Sequence, residues 1–242
     1  MSKSTLLDHV YRHEKNLAQQ VFLTQPTGGG QVATYTWAQT MDQARRMATH
    51  LQSQGLPPGA KVGILSKNCA HFFMAEMAIW MAGYTTVAIF PTESADTVKF
   101  VLEHSESSLL FVGKLDEWHK QSPGVPDNMP RIALPLAPAT PYDKWDDIIA
   151  RTQPLQGDVL RDDNDLAMII YTSGSTGQPK GAMHSHAGMV YTMRGYSFYL
   201  AQDHRDERML FLPLCHIAER IGGMYSCIYG GAILNFVENP DT

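Results

Sequence analysis

Three things are scarce in this chain of 242 residues, and each scarcity excludes something. Cysteine occurs only at Cys69, Cys215 and Cys227, an odd number without paired spacing. That rules out a disulfide framework and fits buried or loop thiols in a reducing compartment. Long apolar runs are missing. None approaches the ~18 residues a membrane-spanning helix needs, and the most apolar helix candidate, residues 72–84, is broken by Glu76. The first fifteen residues hold no apolar core of signal-peptide length, so a soluble, cytoplasmic chain without a transmembrane segment is expected. Dense basic clusters are also missing, and the formal net charge is −5. Nucleic acid is therefore excluded as the main partner.

Metal-ligand clusters are equally thin. His9 and His13 stand four apart on a predicted helix, and His184 and His186 two apart, but neither pair has a third ligand nearby. Both are read as ordinary side chains rather than a zinc site.

What is present is an ordinary globular composition, 44% apolar and 18% charged, with enough length for one large domain or two small ones. Apolar spacing predicts a first helix over 6–20. Short runs at 21–24 and 31–35 flank Thr27-Gly28-Gly29-Gly30 and predict a hairpin. Capping-box spacing at Thr36–Gln39 opens a helix that stops at Gly55. From there strands and helices alternate. Strands are expected at 62–65, 85–89, 109–112 and 131–134. Helices are expected to start after Asn68 and Ser94, and a short one at 142–150. The strands are apolar on both faces, as in a parallel sheet covered on both sides. Residues 153–164 are polar and connect to a second half with strands at 166–171, 182–185, 209–212 and 232–237 and helices at 186–200 and 217–229. The fold class expected is α/β: a mostly parallel sheet flanked by helices, plus part of a second αβ sheet. The expected units are residues 1–152 and 165–242.

The chemistry concentrates in residues 171–181, YTSGSTGQPKG, directly behind the apolar run 166–170. Three glycines, two serines, two threonines and a lysine in eleven residues supply backbone N–H groups, hydroxyl donors and one mobile cation. Such a set suits a polyphosphate. A P-loop, GxxxxGK[ST], does not fit. Lys180 follows Pro179 and precedes Gly181, and the residues beyond read as a strand rather than a helix. A flexible linker does not fit either, since linkers neither follow a buried strand nor close on an ordered Pro-Lys-Gly. Both features set aside the kinase or ATPase reading and the linker reading.

This stretch resembles the phosphate-loop signature of the adenylate-forming (AMP-binding) enzymes: acyl-CoA synthetases, luciferases and peptide-synthetase adenylation domains. Met81-Ala82-Gly83-Tyr84 through Pro91-Thr92 resembles the family's Ala-Gly strand segment, and His184-Ser185-His186 the short strand that follows the loop. Leu212-Pro213-Leu214-Cys215-His216-Ile217-Ala218-Glu219-Arg220 resembles the next family motif, its His-x-x-Glu-Arg ending being most like the long-chain fatty acyl-CoA synthetases.

The resemblance spans essentially the whole chain but only the N-terminal part of the family's fold. It implies a ligase that joins a carboxylic acid to ATP as an acyl-adenylate and then passes the acyl group to a thiol, with Mg²⁺ and coenzyme A as further requirements. By resemblance, Thr172, Ser173, Gly174, Ser175, Thr176, Gly177 and Lys180 bind the phosphates, with Thr176 near the metal. His216 lines the acyl and adenylate pocket. Glu219 is the second candidate catalytic residue, standing with Arg220 behind His216; a plain surface pair on a helix turn is the competing reading of those two.

The family's adenine, ribose and magnesium motifs and its C-terminal domain with the adenylation lysine have no counterpart up to Thr242. The expectation is therefore an N-terminal fragment, inactive alone. Alternatives are a non-catalytic, partner-binding remnant of a synthetase, or an adenylate-forming ligase for aryl or amino acids.

Overall fold

The computed structural model describes residues 5–172 and 178–238. The chain opens with α1 (Leu6–Asn16), the hairpin β1 (Val21–Gly28) and β2 (Gln31–Thr36), and α2 (Trp37–Ser53). Thr36 accepts the backbone N–H of Gln39 while the Gln39 side chain takes the Thr36 N–H, the reciprocal cap expected from the sequence. There follow β3 (Lys61–Leu65), α3 (Ala70–Met81), β4 (Thr85–Ile89), α4 (Ala95–His104) and β5 (Ser107–Val112). Then come α5 (Trp118–Gln121), β6 (Arg131–Ala133), β7 (Asp143–Lys144) and α6 (Trp145–Arg151). The last third holds β8 (Leu166–Thr172), β9 (Lys180–Ser185), α7 (His186–Tyr199), β10 (Glu207–Leu210), α8 (Ile217–Glu219), α9 (Ser226–Gly230) and β11 (Ile233–Phe236).

The strands form two sheets. Seven run in the order β7-β6-β5-β3-β4-β8-β9, parallel except for β9, which turns back antiparallel on β8. Four more run β10-β11-β1-β2. The mostly parallel α/β architecture read from the apolar strands is therefore present. The sheets do not follow the order of the chain, however. β1 pairs in parallel with β11, Leu23 opposite Leu234, and β8 and β9 belong to the large sheet with β3 to β5. Residues 153–164 thus join two segments of one sheet environment rather than separating the sheets.

Helix α3 explains how the layers hold together. All twelve of its residues are buried, so it has no solvent face and shows no amphipathic pattern. It carries one core cluster, in which Phe22 of β1 and Met168 of β8, one from each sheet, join Trp37 of α2 and its own Phe73 and Trp80. Helix α4 covers the opposite face of the large sheet with Val98, Val101 and Leu102 against Leu65, Val87 and Leu110. The sequence pointed to Asn68 as the α3 cap. The cap position belongs instead to Cys69, which makes no side-chain cap bond, and the orphan N–H of Ala70 is met by Gln25 Oε1 of β1 at 2.8 Å. The predicted helix over 217–229 is interrupted by a π-helical turn, Arg220–Tyr225. Two glycines lie in that turn, and a Cβ at Gly223 would stand 2.5 Å from Leu210 Cδ2 and 2.6 Å from Glu219 Oε1. The first helix ends at Asn16, four residues earlier than its periodicity predicts, and the strand expected at 209–212 runs from Glu207 to Leu210.

All three cysteines are buried free thiols, as expected, and burial pushes Cys215 and Cys227 up to about 12. Among the described residues no helix is long and apolar enough to cross a membrane.

Three of the buried histidines are held well below the ordinary histidine range. Burial lowers His13, His71 and His186 to about 4, and both ring nitrogens of His186 lack a hydrogen-bond partner. In the unfolded chain each binds a proton near the usual 6.5, so the unfolded state holds more protons between that value and about 4. Stability from this source is complete above about pH 6.5 and declines as pH falls toward 4. Urea unfolding at pH 7.5 and pH 5 is expected to show a lower midpoint at pH 5. His186→Phe is expected to reduce the difference; equal midpoints in the parent chain would contradict it.

Candidate active site

The site stands at the carboxyl ends of β4 and β8. Strand β3 is flanked by β4 on one side and β5 on the other, so the chain reverses direction across the sheet there. Helices α3 and α4 depart to opposite faces. A crevice opens where such connections part, outside the carboxyl ends of parallel strands. Here it is a cleft of about 450 Å³. Ile89, Phe90, Val101, Ile170 and Ile217 supply apolar wall, and Thr92, Glu93, Thr97, Thr172 and His216 the polar groups.

The β8–β9 ladder sets the phosphate-loop ends. Thr172 is the register partner of Lys180, and Tyr171 of Gly181. Directly opposed residues share a face of the sheet, so the Thr172 hydroxyl and the Lys180 ammonium are presented together, both exposed. Tyr171 anchors this end: its hydroxyl lies 2.8 Å from His104 Nδ1 on α4. A Cβ at position 181 would sit 3.0 Å from Ile169 Cγ2 and 3.1 Å from Tyr171 Cζ, so the glycine after Lys180 is what lets the ring lie flat against the returning strand. Ser173, Gly174, Ser175, Thr176 and Gly177, including the candidate metal ligand, lie outside the described residues.

His216 lines the same cleft. Its Nδ1 accepts the Ala218 N–H at 3.2 Å, capping α8. A ring whose Nδ1 accepts carries its proton on Nε2 when neutral. Glu219 is placed differently. It is buried, does not line the cleft, and has one carboxylate oxygen without a partner. Burial raises its carboxyl above the usual range, with Arg208 acting against that.

Arg220 is wholly buried, which sets aside the surface-pair reading for it. Its Nη2 meets Glu76 Oε1 at 2.7 Å, its Nε donates to the Tyr225 hydroxyl at 3.1 Å, and its Nη1 donates to the Leu214 carbonyl at 3.0 Å. Burial opposes the guanidinium charge, and Glu76, Tyr225 and Cys215 together more than restore it. The single charge on α3 is thus the partner of the last motif residue, 144 positions away.

Thr172, Pro179 and His216 line one cleft. Glu93 and Thr97 were not singled out. The signal that could have found them is their place just past β4, at the carboxyl edge of a parallel sheet.

A family model for AMP-binding enzyme matches residues 10–242. The chain belongs to the AMP-binding enzyme family. As a member of this superfamily of adenylate-forming ligases, related to acyl-CoA ligases, it carries the N-terminal adenylate-forming fold. It is 31% identical to fatty acyl-CoA synthetase A of Dictyostelium discoideum, covering 96% of this chain and 37% of that protein. To the long-chain-fatty-acid–CoA ligase FadD15 of Mycobacterium bovis it is likewise 31% identical, over 87% of this chain and 36% of that protein. Among solved structures, an anthranilate CoA ligase, AuaEII, in complex with anthranoyl-AMP superposes with a TM-score of 0.85 at 20% identity, over 97% of this chain and 45% of the other. The N-terminal domain of FACL13 from Mycobacterium tuberculosis gives 0.82 at 20% identity, over 98% and 58%. The AMP-binding chain spans just over a third of the length of these curated relatives.

The Glu76–Arg220 pair yields a stability prediction. Removing one partner strands a buried charge, which costs about 3–5 kcal/mol, whereas replacing both by apolar groups is often neutral. Glu76→Ala is expected to destabilise the fold by that amount in urea titration. The double replacement Glu76→Met with Arg220→Met is expected to recover most of it. A loss under ~1 kcal/mol for Glu76→Ala would contradict the pairing.

Proposed function

We propose that this chain forms the nucleotide-phosphate and carboxylate side of an ATP-dependent acyl-CoA synthetase acting on fatty acids. The observation that carries the reading is that Thr172, the register partner of Lys180 at the end of β8, lines one cleft of about 450 Å³ with His216. An ammonium and a hydroxyl on one face, beside a loop rich in backbone N–H donors, fit a polyphosphate. The mostly apolar wall fits the carbon chain of an acid whose carboxylate points to the same mouth.

In this reading a carboxylate oxygen attacks the α-phosphorus of ATP. The bond to the β-phosphate oxygen breaks and pyrophosphate leaves with its electron pair. The chain's task is to hold and neutralise that leaving charge, which costs no reorganisation when the donors are already aimed. Lys180, Thr172 and the loop residues Ser173 to Gly177 hold the β- and γ-phosphates. His216, through Nε2–H, orients the carboxylate or the developing adenylate, and Glu219 supports it from behind. Among the described residues no group of three or more His, Cys, Asp or Glu side chains is placed to hold a metal. Mg²⁺ would then be held chiefly by phosphate oxygens, with Thr176 as the protein ligand, the usual habit of that ion. Thioester formation with coenzyme A follows as the second step.

The long-chain preference rests on the His216–Arg220 motif and on relatives named as fatty acyl-CoA synthetases. We place the protein in the cytoplasm and treat residues 1–152 and 165–242 as its two functional units. The 242-residue polypeptide on its own is expected to bind ATP without catalysing ATP–pyrophosphate exchange.

Calorimetry with MgATP tests the reading. Binding is expected for the parent chain and a loss of at least tenfold in affinity for Lys180→Ala, the share of one charge-assisted contact. Equal affinity in both would remove Lys180 from the phosphate site, and fatty-acid-driven exchange by the parent chain above the Lys180→Ala control would overturn the expectation of inactivity.

A further inference from the structure

The segment carrying His216 is held from three directions, and one of the three residues involved lies outside every motif considered so far. Asn68 sits half-buried in the connection from β3 to α3. Its Nδ2 donates to the Leu212 carbonyl at 2.6 Å, and its Oδ1 accepts the Leu214 N–H at 2.8 Å. These two groups flank Pro213, which has no N–H of its own. The planar side-chain amide therefore pairs with the loop as a neighbouring strand would. Its orientation is fixed by chemistry, since a carbonyl needs the donor and an N–H needs the acceptor.

The other two holds are deeper. Cys215 Sγ donates to the Ile89 carbonyl at 3.0 Å, at the end of β4. Arg220 Nη1 holds the Leu214 carbonyl from the core side. Backbone bonds then carry this placement to the histidine: His216 N–H donates to the Pro213 carbonyl at 2.9 Å, and Arg220 N–H to the His216 carbonyl at 3.0 Å. Asn68 is the hold at the mouth of the crevice. It sits on the connection leaving β3, whereas the cleft wall at Ile89 to Glu93 leaves β4.

We propose that Asn68 is a positioning residue for His216: its paired hydrogen bonds across Pro213 fix the loop so that the imidazole faces the cleft. The assignment rests on reading the cleft as the adenylate-forming site, and the test separates the two. Leu212 is exposed and can turn its freed carbonyl to water, whereas the buried Leu214 loses its partner, so the loss of Asn68 moves the loop at Leu214.

The experiment compares imidazole resonances of the parent chain, Asn68→Ala and Asn68→Asp by nuclear magnetic resonance, with His216→Gln assigning the His216 signals. Asn68→Ala is expected to shift the His216 resonances by several linewidths and leave those of His71 and His186 in place. Exchange of the Leu214 amide is expected to speed up by about tenfold, the worth of one hydrogen bond. Asn68→Asp keeps the acceptor but sets a carboxylate against the Leu212 carbonyl, so it shifts His216 as well and serves if the alanine variant fails to fold. Val62→Ala, a cavity in β3 away from the loop, is the control: it lowers the melting temperature and leaves His216 unmoved. The proposal is overturned if His216 is unmoved in both Asn68 variants, or if Val62→Ala moves it equally. MgATP titration of the parent chain reports separately on the cleft. His216 shifting in Asn68→Ala while the parent binds no ATP would keep the clamp and remove the nucleotide reading.

Discussion

One buried charge sets the terms for the rest of the molecule. Helix α3 has no solvent face, so Glu76 at its middle cannot reach water. An unpaired carboxylate in that position would cost several kcal/mol. It is satisfied by Arg220, which arrives from the far end of the chain together with Tyr225. For that to happen the two sheets must pack on the two sides of α3, and the segment from Leu214 to Tyr225 must run through the core. The ion pair contributes little net stability, since desolvation offsets its attraction. Its effect is on arrangement: only the packing that brings Arg220 to Glu76 leaves neither charge stranded.

The same constraint shapes the site. Arg220 has donors to spare once Glu76 is met, and one holds the Leu214 carbonyl. The helix that periodicity predicts from Ile217 onward is broken by a π turn between Arg220 and Tyr225, the kind of interruption often found beside functional sites. His216 is thus fastened to the core on one side and to the edge of the large sheet on the other. Thr172, which lines the same cleft, and Lys180 beside it are held by the β8–β9 register. The cleft is built from rigid parts: strand ends, a pinned loop, and a tyrosine tied to α4.

Much of this was legible in the sequence. The apolar strands announced a parallel sheet covered on both faces, and the glycine-serine loop with Lys180 carried the resemblance to the AMP-binding family. A strand after Gly181 was also expected, although its antiparallel return on β8 was not. What could not be read was contact between distant segments. Strand β1 pairs with β11 across more than two hundred residues, and no local pattern marks that. Asn68 looked like a helix cap because asparagine before an apolar helix often is one. Gln25, from a strand far earlier, takes the capping role and frees Asn68 to hold the His216 loop. Glu76 stood out as a charge in an apolar helix, but its partner is 144 residues away. Side chains that satisfy buried or half-buried backbone across long separations leave no periodic trace.

The central claim is that the Lys180–Thr172 ladder end and His216 belong to one site for a polyphosphate. The most direct measurement titrates the isotope-labelled chain with pyrophosphate and follows the amides of Thr172 and Lys180 and the ring of His216. The account predicts saturable shifts concentrated at those residues, with His71 and His186 unchanged. Shifts absent there, or spread evenly over the exposed lysines and arginines, would contradict it.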